Sequence, residues 1–147
     1  MVIFVLRHAN RDPAADALSP AGVKRAKALA HMLAESGVSQ AYCSDARRTH
    51  DTLAPLKQLL GNRLAITEFS AAGSGGLDGH VQAVVAAAAA LPATAVAIAV
   101  GHSNTVGPII EGLDGGIIAP IGEAEFDRLF VLFIPPNDKK TLLQLRY

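Results

Sequence analysis

The sequence predicts an α/β fold: three layers (α/β/α) around a mostly parallel mixed central sheet, finishing in a C-terminal antiparallel hairpin. Three observations predict it. Two unbroken apolar runs, Val2-Ile3-Phe4-Val5-Leu6 and Ala95-Val96-Ala97-Ile98-Ala99-Val100, read as strands buried on both faces, as in the middle of a parallel sheet. Strand-like and helix-like segments alternate through most of the chain, the pattern of βα crossover units. The last third instead carries two strand-like runs, Asp127 to Ile134 and Thr141 to Tyr147. Their connection, Pro135-Pro136-Asn137-Asp138-Lys139-Lys140, is too short for a crossover and implies an antiparallel pair.

The elements follow in order. After the first strand, a polar loop runs from Asn10 to Leu18, and Ser19-Pro20 opens a helix as N-cap and first-turn proline. Val23, Ala26, Ala30 and Leu33 form its expected apolar stripe, with Lys24, Lys27 and Glu35 outside it, and Gly37 ends it. A short strand at Gln40 to Cys43 leads into a helix over Arg47 to Leu60, closed by Gly61-Asn62. A third strand is expected at Leu64 to Phe69, then a glycine-rich loop from Ser70 to Gly79, read as a mobile flap. Val81 to Val100 is almost continuously apolar and about long enough to span a membrane. Half of it is alanine, however, and Pro92 divides it into an alanine-rich helix and the second long strand. The residues after Gly101-His102 open a further helix, whose free amides and positive dipole end favour an anion.

Composition sets the frame. The 147 residues are expected to form one domain over 1–147, large enough to need no disulfide. Thirteen basic residues balance thirteen acidic ones, and neither sign forms a run, which argues against a nucleic-acid or membrane partner. A single cysteine and no basic leader or cleavage pattern fit a cytoplasmic protein. Oligomeric state is not legible.

In open α/β sheets ligands bind beyond the carboxyl ends of the strands. Both long strands deliver a histidine there, His8 after Arg7 and His102 after Gly101, and Cys43-Ser44-Asp45-Ala46-Arg47-Arg48 places two arginines after a third strand. Guanidiniums are permanently charged forks that match phosphate oxygens. Two imidazoles among guanidiniums therefore point to phosphate.

Leu6-Arg7-His8-Ala9-Asn10, the run Ser44 to Thr52 and Val100-Gly101-His102-Ser103-Asn104-Thr105 resemble the three hallmark segments of the histidine phosphatase superfamily, also called phosphoglycerate-mutase-like, in the right order. Glu125 to Val131 is similar to a late segment of some members, and the short length is similar to the small phosphohistidine-phosphatase branch. The resemblance implies that His8 is a nucleophile forming a phosphohistidine intermediate. It implies that Arg7 and Arg48 hold the phosphoryl oxygens and that His102 completes the clamp. Ser103 and Asn10, beside these residues in sequence, are further phosphate-binding candidates, although serine at such a junction is also an ordinary cap. The implied activity is hydrolysis of a phosphorylated small molecule or phosphoprotein, with no cofactor and no metal. Phosphoryl transfer asks mainly for alignment and positive charge, which these residues supply. A bell-shaped dependence of rate on pH is expected.

Two departures from the family pattern matter. Ala9 stands where the family usually has glycine. No segment reproduces the acidic motif with which members acting on alkyl esters protonate the leaving oxygen, so Glu68 is the candidate acid and Asp78 the alternative. Without an effective acid, phosphohistidine or another activated phosphate is favoured over a stable ester. A non-catalytic phosphate-binding regulatory protein and a phosphomutase-like phosphotransferase are the alternatives.

Other polar residues have plainer readings. Arg47 and His50 are expected at the surface, and His31 as structural or exposed. His80 could approach the pocket, and Ser44 and Asn104 could donate to phosphate or merely cap. Cys43 is expected to be a buried, inert thiol, too close in sequence to Arg48 for the amide-lined loop of a cysteine phosphatase. His8, His102, Asp12 and His50 have no spacing typical of a metal site.

Overall fold

Side chains of the first strand, β1 (Val2–Arg7), point alternately into two buried clusters, which places the sheet at the centre of three layers. Leu6 packs on one side with Leu29, Leu53 and Leu56; Ile3 and Val5 pack on the other with Val84, Ile109 and Ile110. The structure, a computed structural model, describes residues 1–147. The remaining elements are α1 (Pro20–Leu33), β2 (Gln40–Cys43), α2 (Arg47–Leu60), β3 (Ala65–Glu68), α3 (Gly76–Ala89), β4 (Val96–Gly101), α4 (Val106–Gly112), β5 (Arg128–Phe133) and β6 (Thr141–Arg146). The six strands form one sheet in the order β3-β2-β4-β1-β5-β6. β3, β2, β4 and β1 run parallel, whereas β5 and β6 are antiparallel additions. Helices α1 and α2 cover one face, α3 and α4 the other. The mostly parallel sheet and closing hairpin are those expected.

The helix signals act as anticipated in several places. Ser19 caps α1, its hydroxyl accepting from the Gly22 amide at 3.1 Å, and Pro20 opens the helix. The long apolar stretch divides into α3 and β4, and no helix is long and apolar enough to cross a membrane.

Three details differ from the sequence reading. Val23 is 42% exposed, and Leu29 takes its place in the buried face of α1. The helix ends at Leu33, where Ser36 turns the chain back by donating to the Leu33 carbonyl through its amide and hydroxyl, so Gly37 lies beyond it. The glycine-rich loop is shorter than expected because α3 starts at Gly76. Asp78 sits in its first turn, where the helix dipole favours a carboxylate.

Candidate active site

Strand order brings the site together. β4 lies between β1 and β2, with Val100 beside both Leu6 and Cys43. The three carboxyl ends therefore release His8, His102 and the Ser44–Arg48 turn side by side. They open on a polar cleft of about 560 Å³ lined by Arg7, His8, Arg48, His102 and Ser103, among others. The two imidazole rings stand edge to face with centroids 5.5 Å apart.

His8 is almost fully buried, and its Nδ1 lies 2.8 Å from the Ala9 carbonyl oxygen. A carbonyl can only accept, so Nδ1 carries the hydrogen and Nε2 keeps its lone pair. That lone pair faces Nε of Arg48 at 3.1 Å. Burial pushes the imidazole down to about 3; the Ala9 hydrogen bond opposes this, while Arg48, His102 and Arg7 add to it. The Ala9 amide in turn donates to Thr52 Oγ1, which donates to the Arg48 carbonyl, tying the end of β1 to α2.

Arg7 is clamped by one nitrogen. Its Nη1 donates to the carbonyls of Gly122, Glu123 and Glu125 at 2.8–3.0 Å, and the guanidinium lies 4.0 Å from the centre of the Phe126 ring. Nε is buried with no partner. The guanidinium is thus fixed in orientation, with Nη2 accessible and unbonded.

His102 is set by a chain of hydroxyls. Its Nδ1 lies 3.2 Å from Arg48 Nη2 and must accept, so Nε2 carries the hydrogen and donates to Ser44 Oγ at 2.9 Å. Ser44 lies 3.2 Å from Thr49 Oγ1, which donates to the Ala46 carbonyl. The His102 amide donates to Thr105 Oγ1, and a Cβ at Gly101 would stand 2.5 Å from that oxygen, so this strand end needs glycine. Burial pushes His102 down to about 4, helped by Arg48, His80 and Arg7. Both rings are neutral at neutral pH, so the acid limb of the expected bell-shaped profile moves well below the neutral range.

Two carboxylates line the cleft, and neither was singled out in the sequence. Asp16 accepts from the Arg47 and Arg48 amides and, at 2.8 Å, from Arg48 Nη1. Slight burial would raise its pKa, but these bonds and the Arg48 charge hold it below the usual carboxylate range. Asp45 accepts from the Ala71 amide and Ser70 Oγ, which hold its pKa low too. Ionised carboxylates with occupied oxygens are poor proton donors.

Several predicted residues lie elsewhere. Glu68 pairs with His50 at 2.7 Å and Asp78 is exposed on α3; neither lines the cleft. Asn10 also stays out of the cleft, accepting from Arg25 Nε at 2.7 Å. His80 is buried and does not line the cleft, its Nδ1 donating to the Phe69 carbonyl at 2.6 Å. Arg47 is exposed and pairs with Asp51, and His31 is exposed. Ser44 orients His102 and does not line the cleft, whereas Asn104 does. Cys43 is fully buried, and burial pushes its thiol up to about 11. No three His, Cys, Asp or Glu side chains converge as a metal-binding set.

Residues 3–71 match the model of the histidine phosphatase superfamily, branch 1. No curated protein matches the chain. The fold is similar to that of the protein histidine phosphatase SixA complexed with tungstate, with a TM-score of 0.75 and 20% identity over 99% of this chain and 97% of that one. It is also similar to a mycobacterial glucosyl-3-phosphoglycerate phosphatase, with a TM-score of 0.70 and 15% identity over 99% and 97% of the two chains. A phosphoserine phosphatase from Entamoeba histolytica, in complex with 3-phosphoglyceric acid, gives 0.68 and 12% identity over 99% and 96%. At such identities the likeness establishes the fold.

Proposed function

We propose that this chain, whose residues 3–71 match the model of the histidine phosphatase superfamily, is a phosphatase that passes a phosphoryl group from its substrate to Nε2 of His8 and then to water. One observation carries the reading. A neutral imidazole presents a lone pair to a cleft whose lining includes the guanidiniums of Arg7, Arg11 and Arg48 and a second neutral imidazole.

The substrate's phosphoryl oxygens take over the hydrogens of Arg48 now spent on the two histidines, together with those of Arg7 Nη2, which frees the His8 lone pair. Nε2 bonds to phosphorus as the bond to the leaving group breaks, and Arg7 and Arg48 offset the charge on the equatorial oxygens, with His102 Nδ1 orienting Arg48 in the free enzyme. Water then cleaves the phosphohistidine, releasing inorganic phosphate and restoring neutral His8. Ser103, at the cleft wall, is a further phosphate ligand.

The substrate class follows from the carboxylates. Asp16 and Asp45 are held ionised, and Glu68 and Asp78 lie off the cleft, so no side chain is poised to protonate a departing alkoxide. General acid assistance is worth roughly 10²–10⁴ in rate. Phosphohistidine and acyl phosphates, whose leaving groups depart with little help, are therefore the preferred substrates over alkyl esters. The relative named a protein histidine phosphatase supports this choice. The six-stranded sheet, drawing on strands from residue 2 to residue 146, supports a single domain, and balanced charge with one buried thiol supports a cytoplasmic setting.

The test is a rapid acid quench during turnover of phosphorylated histidine, acetyl phosphate and an alkyl phosphate. Fast turnover of the first two with acid-labile label on His8, both lost in His8→Ala, is expected. Binding without labelling identifies a phosphate reader, and label passed on to a second hydroxyl identifies a phosphomutase; either outcome overturns the proposal.

A further inference from the structure

Beside the cleft lies a second, smaller cavity of about 200 Å³. The two share a wall made by Ser103 and Asn104. Beyond that wall the chemistry changes. The cleft is walled by charge, whereas the smaller cavity is formed by aliphatic residues of the segment after α4, chiefly Ile117 and Ile118, with Pro108 from α4 and Pro120 opposite. It contains no cation, and its single charge is the Glu111 carboxylate. Ile117 stands 86% exposed at its lip, an unusual position for a branched aliphatic side chain with no partner.

The shelf is fixed to the phosphate site. Arg7 holds the Gly122 and Glu123 carbonyls, and Arg128 donates to the Ala119 carbonyl at 2.9 Å. The guanidinium assigned to the phosphoryl oxygens therefore also sets the position of the aliphatic segment relative to them. The shelf therefore lies at a fixed offset from the residues assigned to the phosphoryl group.

We infer that the Ile117 shelf is a substrate subsite that takes an aliphatic side chain next to the phosphorylated histidine of a polypeptide. The inference rests on the phosphatase reading above and narrows its substrate class. Three features select a polypeptide over a small phosphorylated acid. Glu111 repels an anionic leaving group, the lining lacks any cation to receive a carboxylate, and the hydroxyl and amide of Ser103 and Asn104 stand where a main chain passing from cleft to shelf needs hydrogen-bond partners. An extended chain advances about 3.3 Å per residue, so the side chain concerned is one or two positions from the phosphohistidine.

The experiment compares kcat/KM for three substrates: a phosphohistidine peptide with leucine at the flanking positions, the same peptide with aspartate there, and phosphoramidate. Wild type should favour the leucine peptide by about tenfold, the low end of what an aliphatic pocket discriminates. Ile117→Asp should bring the ratio of the two peptides close to one, and Ile117→Leu should restore it. Ile117 is exposed, so the variants test the contact and not the fold. A ratio near one in wild type, or one that Ile117→Asp does not change, overturns the subsite while phosphoramidate turnover keeps the phosphatase reading. The same is true if Ile117→Asp lowers phosphoramidate turnover as much as that of the leucine peptide, or if hexanoyl phosphate shows the leucine peptide's sensitivity to Ile117, which would assign the shelf to small aliphatic phosphates. Failure of wild type on all three substrates overturns both readings.

Discussion

Nε of Arg48 donates to Nε2 of His8 at 3.1 Å, so the lone pair assigned to phosphorus is engaged by a hydrogen of the guanidinium assigned to the phosphoryl oxygens. An arriving phosphoryl group breaks that bond by competing for Arg48, which couples binding of the anion to release of the base. The same cation helps to keep His8 neutral in the free enzyme, after the larger effect of burial. With His8 at about 3 and His102 at about 4, kcat/KM, corrected for the substrate's own ionisation, should be flat from about pH 5 to 8. A bound phosphate dianion stabilises the charged imidazoles, so the acid limb of kcat should lie at higher pH than that of kcat/KM. An enzyme inflection near 6.5 in kcat/KM would contradict the burial of these rings.

Asp16 governs Arg48 from the opposite side. It holds one guanidinium nitrogen and two amides at the start of α2, so it fixes both the side chain and the turn that carries it. Asp16→Asn preserves an acceptor but removes the charge, and should lower kcat/KM about tenfold, near the lower end for a charged hydrogen bond. Asp16→Ala should lower it further and cost about 1 kcal/mol of stability, the usual loss when a helix start loses its cap. Steady-state kinetics and urea titration of the two variants check this. A kcat/KM within twofold of wild type in Asp16→Ala would mean that Arg48 is held without it.

Stability should fall with acid in a window set by the imidazoles. Unfolded histidines take up protons near pH 6.5, whereas folded His8 and His102 resist protonation down to about 3 and 4. The unfolded chain thus binds more protons between these limits, and the free energy of unfolding must drop as pH falls from 6.5. Asp16, Asp45 and Asp127, all held below 3.8, add their loss only at lower pH. Urea midpoints should decline from pH 7 to pH 4.5, and the decline should be shallower in His8→Gln and His102→Gln. An equal slope in both variants would place the acid sensitivity elsewhere.

The parts legible in the sequence are those where one local rule decides. A strand buried on both faces has no polar position, so β1 and β4 announce themselves, and Ser19-Pro20 marks a helix start by cap chemistry. Two histidines and an arginine at strand ends are legible for the same reason. The carboxylates were not. Glu68 ends a strand, yet β3 is the edge of the sheet, separated from β1 by β2 and β4, so its carboxyl end lies away from His8. Asp16 comes from an irregular loop fixed mainly by tertiary contacts, among them the Arg11–Leu18 bridge, and no periodicity reports where such a side chain points. Asp78 looked like part of a turn because glycines surround it, but Gly76 opens α3 with φ +54° and turns the aspartate outward.

Ser44 carries the final prediction. Its buried hydroxyl takes the Nε2 hydrogen of His102 and passes its own toward Thr49, which makes Nδ1 the acceptor that faces Arg48. Ser44→Ala leaves a buried N–H with no acceptor, a cost of about 1–3 kcal/mol that the ring can relieve by moving its hydrogen to Nδ1. That tautomer turns a donor toward Arg48 and removes the acceptor that holds the guanidinium in place. The variant should therefore lose roughly tenfold in kcat, melt earlier, and show Nδ1–H character for His102 in nitrogen NMR where the wild type shows Nε2–H. A purely structural serine would lower the melting temperature alone, so an unchanged tautomer with kcat within twofold of wild type would remove Ser44 from the chain of donors that sets the clamp.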